Sequence, residues 1–245
     1  MATDKAARRP RDEAIAGISM VILLAMSSGA IDVVAFLRYK VFVANQTGNL
    51  VIISLGVAED DSSSTVMPSL VSLASFVGAI IVVVWLRQVQ IRRGHEEYVV
   101  RRTALVAGAA LLTVAAVLIL FQVDFEVRYG VIAVLATSQG IQAVVLTRVL
   151  GVAVQTVAIN GALLNTVNLA FSGRRLGSMV AAATPIGYAI GAGVGAALQL
   201  IASAFALFFA AALGIIAVFV GQRYRRLDQE ESDATGADRP PKSGR

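Results

Sequence analysis

Asp32 sits in Ser28-Gly29-Ala30-Ile31-Asp32, deep in an apolar stretch that holds no other acidic residue. A carboxylate in such a setting is costly unless it is protonated, paired or wet. Two roles fit it: a proton- or cation-coupling group, or one half of an ion pair with Arg38 or Arg148 that pins two parts of the chain together. Further polar residues break two apolar stretches. Asn45-Gln46-Thr47-Gly48-Asn49 interrupts Val41–Ala58, and Gln155, Thr156, Asn160, Gly161, Asn165 and Asn168 interrupt Ala153–Phe171. Such residues are tolerated at membrane depth where they face protein or a wet cavity rather than lipid.

If Val41–Gln46 runs extended and the chain then turns helical, Asn49–Ala58 makes a half-helix of about 15 Å, half the ~30 Å hydrocarbon thickness. Thr47 or Asn49 is suited to cap its free N–H groups, and Gly48 to turn the backbone without steric cost. Asn160-Gly161 would open an opposing half-helix, Gly161–Phe171. Two helix N-termini, each carrying about +0.5 charge, then face one another and suit an anionic or polar solute. The competing reading is a continuous helix whose amides bond a neighbouring helix, at roughly 0.6–2 kcal/mol per contact.

The remaining reactive types are few. Arg38 and Arg148 flank the two polar segments, placed either to draw an anion inward or to snorkel to headgroups. Gln142 stands where Asp32 would recur, so any charge chemistry is asymmetric. The single histidine, His95, lies in the solvated run Arg92-Arg93-Gly94-His95-Glu96-Glu97, and there is no cysteine. No nucleophile with a base and no set of metal ligands emerges, so neither an enzyme nor a metal or organic cofactor is expected.

The elements that must position these residues are apolar. Of 245 residues 57% are apolar and 15% charged, with a mean hydropathy of +0.74. A soluble domain carries roughly a quarter charged residues. Eight stretches approach the ~20 residues a membrane helix needs: Ala14–Leu37, Val41–Ala58, Met67–Leu86, Thr103–Gln122, Val127–Thr147, Ala153–Phe171, Met179–Leu200 and Ser203–Val220. Eight true spans would divide the basic residues almost evenly between the two sides. Six spans with two re-entrant segments leave only Arg38, Lys40 and Arg128 outside, among the basic residues that precede the distal tail, and move Glu59-Asp60-Asp61 outside as well. The positive-inside tendency favours the second topology. The net charge of +5 thus reads as orientation in a bilayer rather than as a nucleic-acid footprint.

The chain also reads as a duplication. Ser28-Gly29-Ala30-Ile31-Asp32 aligns with Ser138-Gln139-Gly140-Ile141-Gln142, Arg38 with Arg148, Thr47-Gly48 with Asn160-Gly161, and Pro68 and Gly78 with Pro185 and Gly195. Residues 1–13 form a basic cytoplasmic tail, 14–122 and 123–221 the two membrane repeats, and 222–245 a disordered cytoplasmic tail. With six spans the repeats are inverted, as in many transporters; with eight they are parallel. Gly187, Gly191 and Gly195 recur every four residues, with Ala183 a turn before and Gln199 a turn after, a smooth stripe for close packing between halves or between subunits. Pro185 is expected near the start of its helix, where a missing N–H is tolerated.

Gly29-Ala-Ile-Asp32-Val-Val-Ala-Phe-Leu37, followed by Val41-Phe-Val-Ala-Asn45-Gln-Thr47-Gly48-Asn49, resembles the signature of the YoaK family, and Gly140-Ile-Gln142, Arg148 and Asn160-Gly161 resemble its second block. The family usually shows Thr-Gly where this chain has Asn160-Gly161. The resemblance covers most of the chain and implies an uncharacterised bacterial inner-membrane protein, without an activity.

The expectation is an all-α, polytopic, internally duplicated membrane protein with both termini cytoplasmic. Its partners are the lipid bilayer, a small solute and a second copy of the chain, and not nucleic acid. The expected function is a permease whose solute meets Asp32, Asn45, Thr47, Gly48, Asn49, Gln142, Asn160 and Gly161 where the repeats join. The alternative is a membrane scaffold that transports nothing.

Overall fold

The computed structural model describes residues 2–58, 65–121, 127–145, 148–154, 156–157 and 159–235, with side chains from residue 11 to residue 226 except that of Arg148. Glu59-Asp60-Asp61, Gln155 and residues 236–245 lie outside the described residues. The fold is all-α apart from one small hairpin. In chain order it comprises α1 (Ala2–Tyr39), α2 (Gln46–Ala58), α3 (Met67–Arg92), α4 (Glu97–Leu120), α5 (Arg128–Val145), β1 (Arg148–Val149), β2 (Val152–Ala153), α6 (Ile159–Phe171), α7 (Arg175–Gln199) and α8 (Ser203–Thr235).

Five helical segments are long and apolar enough to cross a membrane: Arg11–Tyr39, Met67–Arg92, Glu97–Leu120, Arg175–Gln199 and Ser203–Arg226. The chain is therefore a multi-pass membrane protein by length and composition. α5 has 18 residues but spends three of its positions on Arg128, Gln139 and Gln142. α2 and α6 have 13 residues each, about 20 Å at 1.5 Å per residue and short of a ~30 Å hydrocarbon core. Outward faces are apolar, as lipid requires; Ile81, Val82 and Trp85 of α3 are all exposed.

Long helices pack in two sets. α1 lies against α7 and α8, α5 against α3 and α4, and α4 against α8. Small residues allow close approach: a Cβ on Gly191 would fall 2.0 Å from the Met26 carbonyl oxygen, and one on Gly29 would fall 2.1 Å from that of Tyr188. Gly187, Gly191 and Gly195 meet Ile22, Met26 and Ala30 in that order, so α7 runs parallel to α1. Ser28 meets Gln139 and Gln142 meets Leu24, so α5 runs opposite to α1. Ile31, Leu112, Leu135 and Leu207 fill the central core between α1, α4, α5 and α8.

Several boundaries differ from those read in hydropathy, because hydropathy marks the lipid-facing length and not the helix. α1 already begins at Ala2, within the stretch read as a tail. α8 continues to Thr235, since Arg223-Tyr-Arg-Arg-Leu-Asp-Gln-Glu-Glu is polar but made mostly of good helix formers, without glycine or proline. α7 begins at Arg175, so Pro185 lies inside the helix rather than at its start and withholds an N–H from its interior. The hairpin closes through Leu150 (φ 49°) and Gly151 (φ 74°), the two left-handed positions of a two-residue turn. The Leu150 N–H donates to the Tyr224 hydroxyl at 3.2 Å, tying the strained residue to α8.

Candidate functional site

Between α1 and α2 the chain is non-helical from Lys40 to Asn45. An open backbone inside a membrane protein needs acceptors for its N–H groups, and Asp32 supplies them. Its Oδ1 accepts the N–H groups of Val43 and Ala44, each at 2.7 Å, and its Oδ2 that of Asn45 at 3.0 Å. The Tyr188 hydroxyl of α7 donates to the same Oδ2 at 2.6 Å. Four donors thus surround a carboxylate that is 1% exposed. Arg38 is not among them: its guanidinium donates to Ser203 Oγ at 3.4 Å.

Asn49 completes the brace. Its Oδ1 accepts the Phe42 N–H at 2.9 Å and its Nδ2 donates to the Phe42 carbonyl at 2.6 Å, closing a two-way bridge to one peptide residue. Ser72 of α3 donates to the same carbonyl at 2.7 Å, and Gln46 Nε2 donates to the Val43 carbonyl at 2.9 Å. Helix α2 begins at Gln46, one turn earlier than the expected Asn49, and neither Thr47 nor Asn49 caps it. The amides that needed an acceptor lie just upstream of the helix and are met from α1. Gly48 lies against the Phe42 ring, where a Cβ would come within 2.6 Å of Cδ2.

The second break differs in chemistry. Gln142 Nε2 donates to the Leu24 carbonyl and to Ser28 Oγ, both at 2.9 Å, and reaches Thr156 Oγ1 at 3.4 Å. Ser28 in turn donates to Gln139 Oε1 at 2.8 Å. Helix α6 begins at Ile159, so Asn160 and Gly161 fall in its first turn. The backbone of Arg148 pairs with Ala153 across the hairpin.

The two breaks share a cavity of about 390 Å³. Asn45, Gln46 and Thr47 line it from the start of α2, Ile159 and Asn160 from the start of α6, and Phe76 of α3 stands between them. Of the residues singled out in the sequence, Asn45, Thr47 and Asn160 are brought together there. Asp32, Asn49 and Gln142 are buried behind the wall and hold the breaks, while Gly187, Gly191 and Gly195 lie on α1. Sequence reading missed Tyr188 and Ser72. Each is one of several hydrogen-bonding side chains inside an apolar helix, Ser72 beside Ser69 and Ser75 and Tyr188 after Ser178 and Thr184, so nothing in the sequence set it apart.

Residues 20–220 match the model of a family described as a protein of unknown function, DUF1275. No curated protein and no solved structure matches the chain. With the match running from the first long helix to the last, and with the YoaK-like motif housed in the braced break, the chain belongs to the DUF1275 family of proteins of unknown function.

Proposed function

We propose that this protein is a permease for a small polar or anionic solute, with its site in the cavity between the two broken segments near the bilayer midplane. The observation that carries the reading is the polar part of the cavity lining: the amides of Asn45, Gln46 and Asn160 and the Thr47 hydroxyl, from both breaks at the starts of two short helices, with no charged side chain among the described residues that line it. Helix starts present N–H groups and partial positive charge, which favours anions and neutral acceptors over cations.

An inverted repeat in a bacterial inner membrane, with both termini cytoplasmic, belongs to this proposal. It is supported by the helix packing, since α1 on α7 and α8 is matched by α5 on α3 and α4. Ser27, one position before the counterpart of Ser138, donates to the Ala210 carbonyl of α8 at 3.0 Å, and Ser138 donates to the Gly108 carbonyl of α4 at 3.0 Å. Gly195 closes on Ala30 as Gly140 closes on Phe76 and Ala79. The opposite directions of α1 and α5 favour inversion over parallel repetition.

Osmotic swelling of proteoliposomes against a panel of urea, glycerol, nitrate, acetate and potassium salts tests the proposal. Neutral or anionic solutes are expected to enter faster than in protein-free vesicles, and potassium not. Replacing Asn45 and Asn160 together by leucine is expected to abolish the excess. Absence of any excess flux across the panel would favour the scaffold reading.

A further inference from the structure

A second pocket, of about 270 Å³, opens among α1, α4, α5 and α8. Its lining has two parts. The inner wall is apolar: Met20 and Leu24 of α1, Leu105 of α4, Val145 of α5 and Ala217 of α8. The mouth carries three guanidinium groups, Arg101, Arg102 and Arg225, against the single carboxylate of Glu97. These charges stand at the first turns of α4 and late in α8, where both helices leave their apolar length.

The mouth is only partly self-satisfied. Arg101 pairs with Glu97 at 2.8 Å, and Arg225 pairs with Glu96 at 2.5 Å while lying 4.4 Å over the Tyr98 ring. Arg102 is exposed and has no ion pair among the described residues. The Tyr98 hydroxyl and Arg101 Nε are shielded from water and have no hydrogen-bond partner among the described residues, an unusual condition for buried donors. A free anion would use the guanidinium groups and leave the apolar wall idle; an uncharged lipid would do the reverse. We infer that this pocket binds an anionic phospholipid, its phosphate on Arg101 and Arg102 and the upper part of an acyl chain along Met20, Leu105 and Val218. Basic pockets between membrane helices on the cytoplasmic side are suited to such headgroups.

Thermal unfolding of the full chain in a nonionic detergent, followed through its single tryptophan, Trp85, tests this. Phosphatidylglycerol is expected to raise the midpoint in a saturable way, whereas phosphatidylcholine and inorganic phosphate leave it in place. Tyr98→Phe with Arg102→Gln is expected to raise the half-saturating phosphatidylglycerol concentration about tenfold, the ratio that 1.4 kcal/mol would give. Arg102→Gln alone, on an exposed side chain, gives a smaller shift in the same direction should the double variant fold poorly. Arg175→Gln, which removes the same charge outside the pocket, is expected to change nothing. The inference is overturned if phosphatidylcholine or phosphate alone reproduces the stabilisation. It is equally overturned if Arg175→Gln matches the pocket variants, or if the pocket variants behave as the unaltered protein.

Discussion

Asp32 shows how a buried charge is made tolerable by neighbours that the sequence does not disclose. Its type and depth marked it as exceptional, and the choice lay between coupling and an ion pair. In place of Arg38, the structure puts around it three backbone N–H groups and the Tyr188 hydroxyl. Backbone groups carry no sequence signature, and Tyr188 lies 156 positions away, so neither partner was legible. Removing the carboxylate orphans several buried donors at once, the costly direction of a hydrogen-bond change. Asp32→Ala is expected to lower stability by about 3 kcal/mol or more, and Tyr188→Phe by about 1–2 kcal/mol, since it removes one charge-assisted bond of four. Equilibrium unfolding in mixed micelles measures both. Equal losses in the two variants would contradict a carboxylate whose main partners are backbone amides.

Among the elements, the two broken helices were the best read in advance. Polar residues and glycine inside apolar runs announced both interruptions, but only the chain from Lys40 to Asn45 runs open into a short helix as expected; the hairpin and turn ahead of α6 were not foreseen. The start of α2 was misplaced by three residues because the amides just ahead of it, those of Val43, Ala44 and Asn45, are met by Asp32 of α1 rather than by Thr47 or Asn49. The glycine stripe was legible as a packing surface but not as to its partner, α1. Spacing alone also gives no means of separating a glycine that faces a helix from one that does not. Gly193 has nothing within 4 Å of a built Cβ, whereas Gly191 would meet Met26 backbone at 2.0 Å. Gly193→Ala is therefore expected to be neutral or to stabilise by up to about 1 kcal/mol through helix propensity. Gly191→Val is expected to force α1 and α7 apart at a cost of about 3 kcal/mol or more, beyond ordinary overpacking because backbone atoms are in the way. Thermal midpoints of the two variants in detergent check the contrast, and similar midpoints would contradict the close α1–α7 approach.

At the scale of the whole molecule, the basic residues and the packing constrain the same question by independent routes. Charge bias in the sequence favours placing the α3–α4 loop beside the chain termini. In the structure Glu96, in that loop, pairs with Arg225 of α8, and Tyr224 packs beside Gly17 of α1. At the other end Arg38 of α1 meets Ser203 at the start of α8. Eight complete crossings would put Glu96 and Arg225 on opposite sides of a bilayer, so the ion pair is difficult to reconcile with them. Which helices pair was not legible at all, because apolar helices of similar composition offer lipid and protein alike the same face. The absence of cysteine lets the topology be measured directly. Single substitutions His95→Cys, Ser172→Cys and Ile201→Cys, all at exposed positions, are expected to divide two to one when whole cells meet a membrane-impermeant maleimide. Ile201→Cys labels from outside; His95→Cys and Ser172→Cys label only after the membrane is opened. Labelling of His95→Cys in intact cells would place the arginine-rich loop outside, separate it from the termini, and remove the inverted arrangement on which opposed half-helices depend.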